Sequence, residues 1–215
     1  TWSGSNMKKS FSNKTLVSAL AVGMIALSSV CAYAQSTPLA AIKGSNTQVK
    51  SLLDANSGKM SVAMENRLKT IISGATDFST MSAAVMTAFP RTMTASQRSE
   101  FRAAFEELLL LSSVKKMGRY RADRFEYGQQ TVNGNQAFVK TVAVYTKKDG
   151  RVDRVRLDYT LTLTGGRWMI SNYAMDDVDT VRNYQRQFRV LVSRKGVAGT
   201  IQHIKDRVIQ YRNED

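Results

Sequence analysis

The chain has a single cysteine, a single histidine and two prolines among 215 residues. Cys31 lies in the N-terminal stretch, so residues 35–215 carry no cysteine at all. That excludes disulfides and a Cys-His nucleophile pair, and leaves the fold to be held by its packed core. His203 alone supplies too few nitrogen and sulfur ligands for a zinc site. A Ser-His-Asp triad would have to use His203, yet no Gly-x-Ser-x-Gly elbow exists. A Gly-rich phosphate loop and a dinucleotide fingerprint are also missing. Beyond residue 34 no hydrophobic run reaches the roughly 20 residues that span a bilayer.

The one long apolar run is N-terminal. Thr1 to Asn6 precede Met7 and read as a cloning scar. From Met7 the pattern is that of a secretory signal: Lys8, Lys9 and Lys14, an apolar stretch from Leu16 to Val30, and the small-x-small site Ala32-Tyr33-Ala34. Cleavage there removes Cys31 and leaves a single domain, residues 35–215, in an oxidising compartment, the periplasm. The three leader lysines removed, 28 basic residues face 17 acidic ones, a net charge of +11. Export and the scattered placement of the basic residues argue against nucleic acid as the partner. Anionic lipid headgroups or an acidic protein fit better, beside the simpler reading of a solvated basic surface.

The periodicity places helices first. Thr37-Pro38 opens a helix carrying Leu39, Ile42, Val49, Leu52 and Leu53, weakened at Gly44-Ser45-Asn46. Val62, Leu68, Ile71 and Ile72 mark a second, and Asp77 caps a third that reaches Val85 and Met86 before Pro90. Thr94 and Gln97 form a capping box ahead of a helix with Phe101, Ala104, Phe105, Leu108 and Leu111 on one face. Four strands follow. Asn133-Gly134, Asp149-Gly150 and Gly165-Gly166 are the turns. In the second strand Phe138, Val142 and Val144 share one face, Val139 and Tyr145 the other. Val155, Leu157, Tyr159, Leu161 and Leu163 share a face of the third, and Trp168 and Ile170 a face of the fourth. Asp176, Asp177 and Asp179 read as the cap of a helix with Val178, Val181, Tyr184, Phe188 and Leu191 on one side. Gly196 ends it, and a last stripe runs through Val197, Ile201, Ile204, Val208 and Tyr211, with His203 off it. The expected fold is α+β: helices packed on one face of a four-stranded antiparallel meander sheet, enclosing an apolar cavity.

Trp168, Val178, Val181 and the run Asn183-Tyr184-x-x-Gln187-Phe188 resemble the C-terminal signature of the MlaC / toluene-tolerance family of periplasmic phospholipid carriers. Asp77-Phe78-Ser79-Thr80-Met81 and the set Gln97, Arg98, Phe101, Phe105, Leu108 and Leu109 are similar to two further family blocks. Departures are Asn172 in place of Asp, Asp176-Asp177-Val178-Asp179 in place of Glu-Gly-Val-Ser, and Gln185 ahead of Arg186. Met86 to Arg91 stands where the family has Leu-Gly-x-aromatic-Trp.

The resemblance implies phospholipid as cargo, with no cofactor and no metal, in transit between an outer-membrane lipoprotein–porin complex and an inner-membrane ABC-type transporter that carries a lipid-binding ring. Membrane docking would be transient. A hopanoid or other apolar lipid is an alternative cargo. An enzyme of cone-shaped α+β fold with a buried carboxylate and Tyr is the rival class, although Asp158 and Tyr159 point to opposite strand faces. The residues expected to line the cavity are Phe101, Phe105, Leu108, Val142, Val144, Leu157, Tyr159, Leu161, Trp168, Ile170, Val181, Tyr184 and Phe188, and no catalytic residue is expected. Export predicts that the protein recovered from a bacterial periplasm begins at Gln35. An intact mass that retains Met7 would contradict it.

Overall fold

The computed structural model describes residues 37–56, 60–119, 121–147 and 149–213. The signal-like segment and its cleavage site lie outside the described residues. The element order is α1 (Pro38–Asp54), α2 (Val62–Ala75), α3 (Phe78–Met86), α4 (Ala95–Arg119), β1 (Arg124–Asn133), β2 (Gln136–Thr146), β3 (Val152–Thr164), β4 (Arg167–Met175), β5 (Val178–Asp179) and α5 (Thr180–Asn213). The strands form one antiparallel sheet in the order β1-β2-β3-β4-β5. This is the α+β meander expected, with a two-residue fifth strand added.

Polar caps start the helices where the sequence places them. Thr37 Oγ1 accepts the Ala40 N–H at 3.1 Å, and Ser61 Oγ accepts the Met64 N–H at 3.2 Å. Thr94 and Gln97 exchange bonds of 3.1 and 3.0 Å as a capping box does. Asp77 caps α3 through Thr80 and also accepts from Thr164 Oγ1 at 3.0 Å, which ties the helix to the end of β3. Burial alone would push the Asp77 carboxyl up, but these hydrogen bonds hold it below its ordinary range. Two expectations change. α1 runs unbroken through Gly44-Ser45-Asn46, because Asn46 is buried and its amide reaches the Tyr127 hydroxyl. Val62, assigned to the buried stripe of α2, is 76% exposed at the first helical position, and Met64 takes the buried place.

The sheet is joined by tight turns. The first hairpin loop is Gly134-Asn135, with Asn133 paired to Gln136 as the last strand residue, one position later than expected. Gly165 and Gly166 both take positive φ, 56° and 77°, in a two-residue hairpin. The acidic corner divides its labour. Asp176 and Asp177 cap nothing. They form a third two-residue hairpin at φ 45° and 67°, where non-glycine residues are uncommon. Asp176 Oδ1 accepts the Arg156 N–H at 2.9 Å, and the Asp177 carboxylate pairs with the Arg156 guanidinium. Asp179 alone caps α5, accepting the Arg182 N–H at 2.8 Å. Asn172 bridges the two elements: its amide N–H donates to Asp179 Oδ2, and its Oδ1 accepts from Val181 N–H.

Helices cover one face of the sheet. Ile42 of α1 packs with Ala137, Val139 and Leu161. A second cluster joins α1, α2 and α4 through Val49, Leu53, Met64, Leu68, Ile72 and Val114. The largest cluster joins α3, α4 and α5 around Phe101, Phe105 and Phe188. Gly196, at φ 68° and ψ −178°, breaks α5 in a conformation open essentially to glycine alone. Phe105 meets Tyr184 and Phe188 before the break, while Glu100 pairs with Lys205 and Glu107 with Arg212 after it. The first half of α5 therefore runs antiparallel to α4 and the second half parallel to it. Gly196→Ala should cost about 1–3 kcal/mol by forcing a Cβ into that conformation. Asp177→Gly should have the opposite sign, gaining about 1 kcal/mol by relieving the left-handed turn. Urea midpoints of the two variants check both.

Candidate functional site

A bulge in β4 sets the geometry of the site. Leu161 pairs with Ile170, but Thr160 pairs with Asn172, so Ser171 is the extra residue. Its hydroxyl accepts from Thr162 Oγ1 at 2.9 Å and donates to the Thr160 carbonyl at 3.3 Å, which satisfies it in a buried position. The extra residue shifts the side-chain phase. Trp168 and Ile170 before it, and Tyr173 and Met175 after it, are register partners of Leu163, Leu161, Tyr159 and Leu157 and face the helices together.

Two cavities open along this face, one at each end of β4. The smaller, about 370 Å³, lies between α1, α2 and the Trp168 end, and includes Leu161 and Ile170. The helices that border it present small residues, Ala40, Ala41 and Gly44 from α1 and Gly74 and Ala75 from α2. A Cβ built on Gly44 or Gly74 would meet nothing within 4 Å, so those glycines leave open space rather than close a packed contact. The larger cavity, about 780 Å³, lies between the end of β4, the β4–β5 hairpin, α4 and both halves of α5. Leu108, Phe188, Leu191 and Ile204 give it apolar walls, while Lys116, Asn183, Gln187, His203 and Arg207 add polar and cationic groups.

Tyrosines mark the boundary between the two. Tyr159 and Tyr173 are direct cross-strand partners; Tyr159 packs with the α1 cluster and Tyr173 with the α3–α4–α5 cluster. Burial drives the Tyr159 hydroxyl well above its ordinary range. Tyr184 is pushed up to about 12, again chiefly by burial. Both phenols stay neutral at physiological pH. Each offers a hydroxyl inside an apolar setting and no charge.

The thirteen residues expected to line one cavity separate in space. Leu108, Tyr184 and Phe188 border the larger cavity, and Leu161, Trp168 and Ile170 the smaller. Phe101, Phe105 and Val181 are in the close-packed helical cluster. Leu157 and Tyr159 sit on the inner sheet face outside both cavities. Val142 and Val144 face the other way, and this corrects the expectation for β2. Their register partners are Glu126 and Arg156, and Arg124 and Arg154; Phe138 on the same face is 48% exposed, whereas Val144 is fully buried on that face. The inner face of β2 carries Ala137, Val139, Thr141 and Ala143 instead. Reading the bulkier apolar set as inward picks the wrong face when the inner set is small. Tyr173, Met175, Lys116, His203 and Arg207 were not foreseen. A strict period-two reading from Trp168 turns Tyr173 outward, and only the bulge brings it in.

Among the described residues no group of three or more His, Cys, Asp or Glu could hold a metal ion, and no helix is long and apolar enough to cross a membrane. Sheet, helices and cavities together define an α+β domain with room for a ligand that is apolar along part of its length and polar elsewhere. The family model described as MlaC protein matches residues 43–206. The chain belongs to the MlaC family. Among solved structures it is similar to the phospholipid-binding protein from Ralstonia solanacearum in complex with a phospholipid, with a TM-score of 0.69 and 18% identity over 82% of this chain and 99% of that one. At that identity the likeness speaks to the fold. A comparison with curated proteins finds no match.

Cavity and core make opposite predictions for enlarged side chains. Leu191→Trp points extra volume into the larger cavity and should leave the urea midpoint near that of the wild type. Leu109→Trp, at a position 1% exposed in α4, should overpack the core and cost about 1–3 kcal/mol.

Proposed function

We propose that this protein is a phospholipid carrier of the periplasm rather than an enzyme. The observation that carries the reading is the 780 Å³ cavity, apolar on the Leu108–Phe188–Leu191–Ile204 side and polar at Lys116, Asn183, Gln187 and Arg207, in a chain of the MlaC family. A phospholipid bound by the similar Ralstonia protein supports the same ligand class. Acyl chains need such a site because each buried methylene is worth about 0.8 kcal/mol, so two chains do not cross water unshielded. The smaller cavity beside Trp168 is a second place where a chain can lie. Carriage asks for no reacting group. It needs a dry interior, a mouth that opens, and surfaces that meet a donor and an acceptor.

In this reading the N-terminal segment directs export and is removed. The protein then moves lipid between an outer-membrane lipoprotein–porin complex and an inner-membrane ABC-type transporter. Protein purified from a bacterial periplasm, extracted with organic solvent and analysed by mass spectrometry, should release phospholipid in stoichiometric amount. Purified protein that releases none, and takes none up from phospholipid vesicles, would refute the carrier reading.

A further inference from the structure

We infer that the cationic side of the larger cavity is a seat for the phosphodiester of an anionic phospholipid headgroup, formed by Lys116 and Arg207 with His203 beside them. All three side chains border the same cavity, Lys116 from α4 and the other two from successive turns of α5. His203 and Arg207 are four residues apart and so lie on one helix face. This inference rests on the phospholipid reading above and adds to it the part of the ligand that is recognised.

The charge balance of the cavity carries the argument. Among the described residues Arg207 has only neutral partners: Gln210 Oε1 at 3.2 Å, the Tyr211 hydroxyl at 3.4 Å, and the Tyr211 ring, 5.3 Å from the guanidinium carbon. Lys116 has no ion-pair or hydrogen-bond partner among the described residues. The nearby carboxylates are committed elsewhere. Glu107 pairs with Arg212, and Asp206 accepts from Gln202 at 2.9 Å. Asp176, the one carboxylate at the cavity, accepts the Arg156 backbone N–H.

Two exposed cations beside an apolar wall offer an anion attached to an apolar body both charge and apolar contact. A phosphodiester presents two acceptor oxygens that an Arg fork can take together while a Lys adds a point charge. A free phosphate offers acceptor oxygens and at least as much charge but leaves the wall of Leu108, Leu191 and Ile204 facing water. The lipid is therefore the better fit.

The test uses the full-length protein and two probe lipids in otherwise zwitterionic vesicles: phosphatidylglycerol, and diacylglycerol with the same chains but no phosphate. Arg207→Gln and Lys116→Gln remove the charge and keep a polar group on a shorter stem. Each should lower phosphatidylglycerol uptake roughly tenfold and leave diacylglycerol uptake unchanged. Arg207→Lys, which keeps the charge and loses the fork, should restore part of the loss. Equal loss of both lipids would mean the residues act on the fold or the acyl site, and would overturn the inference, as would no change for either. Inorganic phosphate binding that needs Arg207 while phosphatidylglycerol uptake does not would assign the seat to the free ion and overturn the headgroup assignment. Wild-type protein that takes up neither lipid would defeat the carrier reading itself, a result distinct from all of these.

Discussion

Phe188 is the residue on which the arrangement of the helical layer turns. Its ring centroid lies 5.9, 5.8 and 5.6 Å from those of Phe89, Phe101 and Phe105, and 5.6 Å from Tyr184. Most of these contacts are tilted or edge-to-face, the geometries the ring quadrupole favours. With no cysteine beyond residue 34, nothing covalent fixes α5 against α4. The aromatic cluster does so instead, and it fills the volume completely at Phe101 and Phe105. Toward the other end of α4 the aromatic packing gives out. There the two halves of α5 and the β4–β5 hairpin border the larger cavity. Rigidity on one side and open volume on the other arise from the same pair of helices.

The corner that delivers α5 to this position is under conformational tension of its own. Asp177 holds φ 67° without being glycine, and Asp176 holds 45°. Both are exposed, and their partner is Arg156 of β3, reached through its backbone N–H and its guanidinium. An exposed ion pair of this kind adds little stability. Its geometric effect is larger: it pins the hairpin to β3, and Met175 and Val178, register partners within it, both border the cavity. Asn172 and Asp179 then pass the constraint to the first turn of α5 through two hydrogen bonds. The chain of fixed contacts runs from β3 to the hairpin to the helix, so the cavity wall is placed by backbone and polar geometry more than by apolar packing.

What could be read from the sequence was whatever depends on neighbours along the chain. Thr37, Asp77, Thr94 with Gln97, and Gly196 each signal a helix end through local chemistry, and each does what it signals. The meander order followed from turns whose glycines need positive φ. The order of helices, meander and closing helices carried the fold class, and the blocks around Asp77, Phe101 and Tyr184 carried the family. Features set across the chain were not legible. Ser171 looks like any polar strand residue, yet as the extra residue of a bulge it reverses the faces of everything after it. Val142 and Val144 look more like the helix-facing set than Ala137 and Ala143, but β2 turns its small residues toward the helices, where α1 comes close through Ile42, and Val144 is buried on the opposite face. Asp176 and Asp177 look like helix caps by charge, and only their φ values reveal a turn.

The difference between core and cavity has the same origin. Phe101 and Leu108 stand seven residues apart on one face of α4, equally apolar and both buried. One is surrounded by aromatic rings; the other borders open volume, because Phe188 approaches one turn of the helix and Tyr173, Asn183 and Arg207 surround the other. Apolar character sets that a residue leaves water, not whether protein or ligand replaces it. The 780 Å³ volume opens to solvent on the side of Lys116, Val178 and Arg207, and its apolar walls there lack the dispersion contacts that a packed interior gives. A chain that held such a volume only against water would lose stability for no gain. Arg207 and Lys116, two exposed cations without a carboxylate partner among the described residues, border that same lining. An amphiphile with an anionic head answers both at once, its apolar part restoring the contacts and its charge completing the pair.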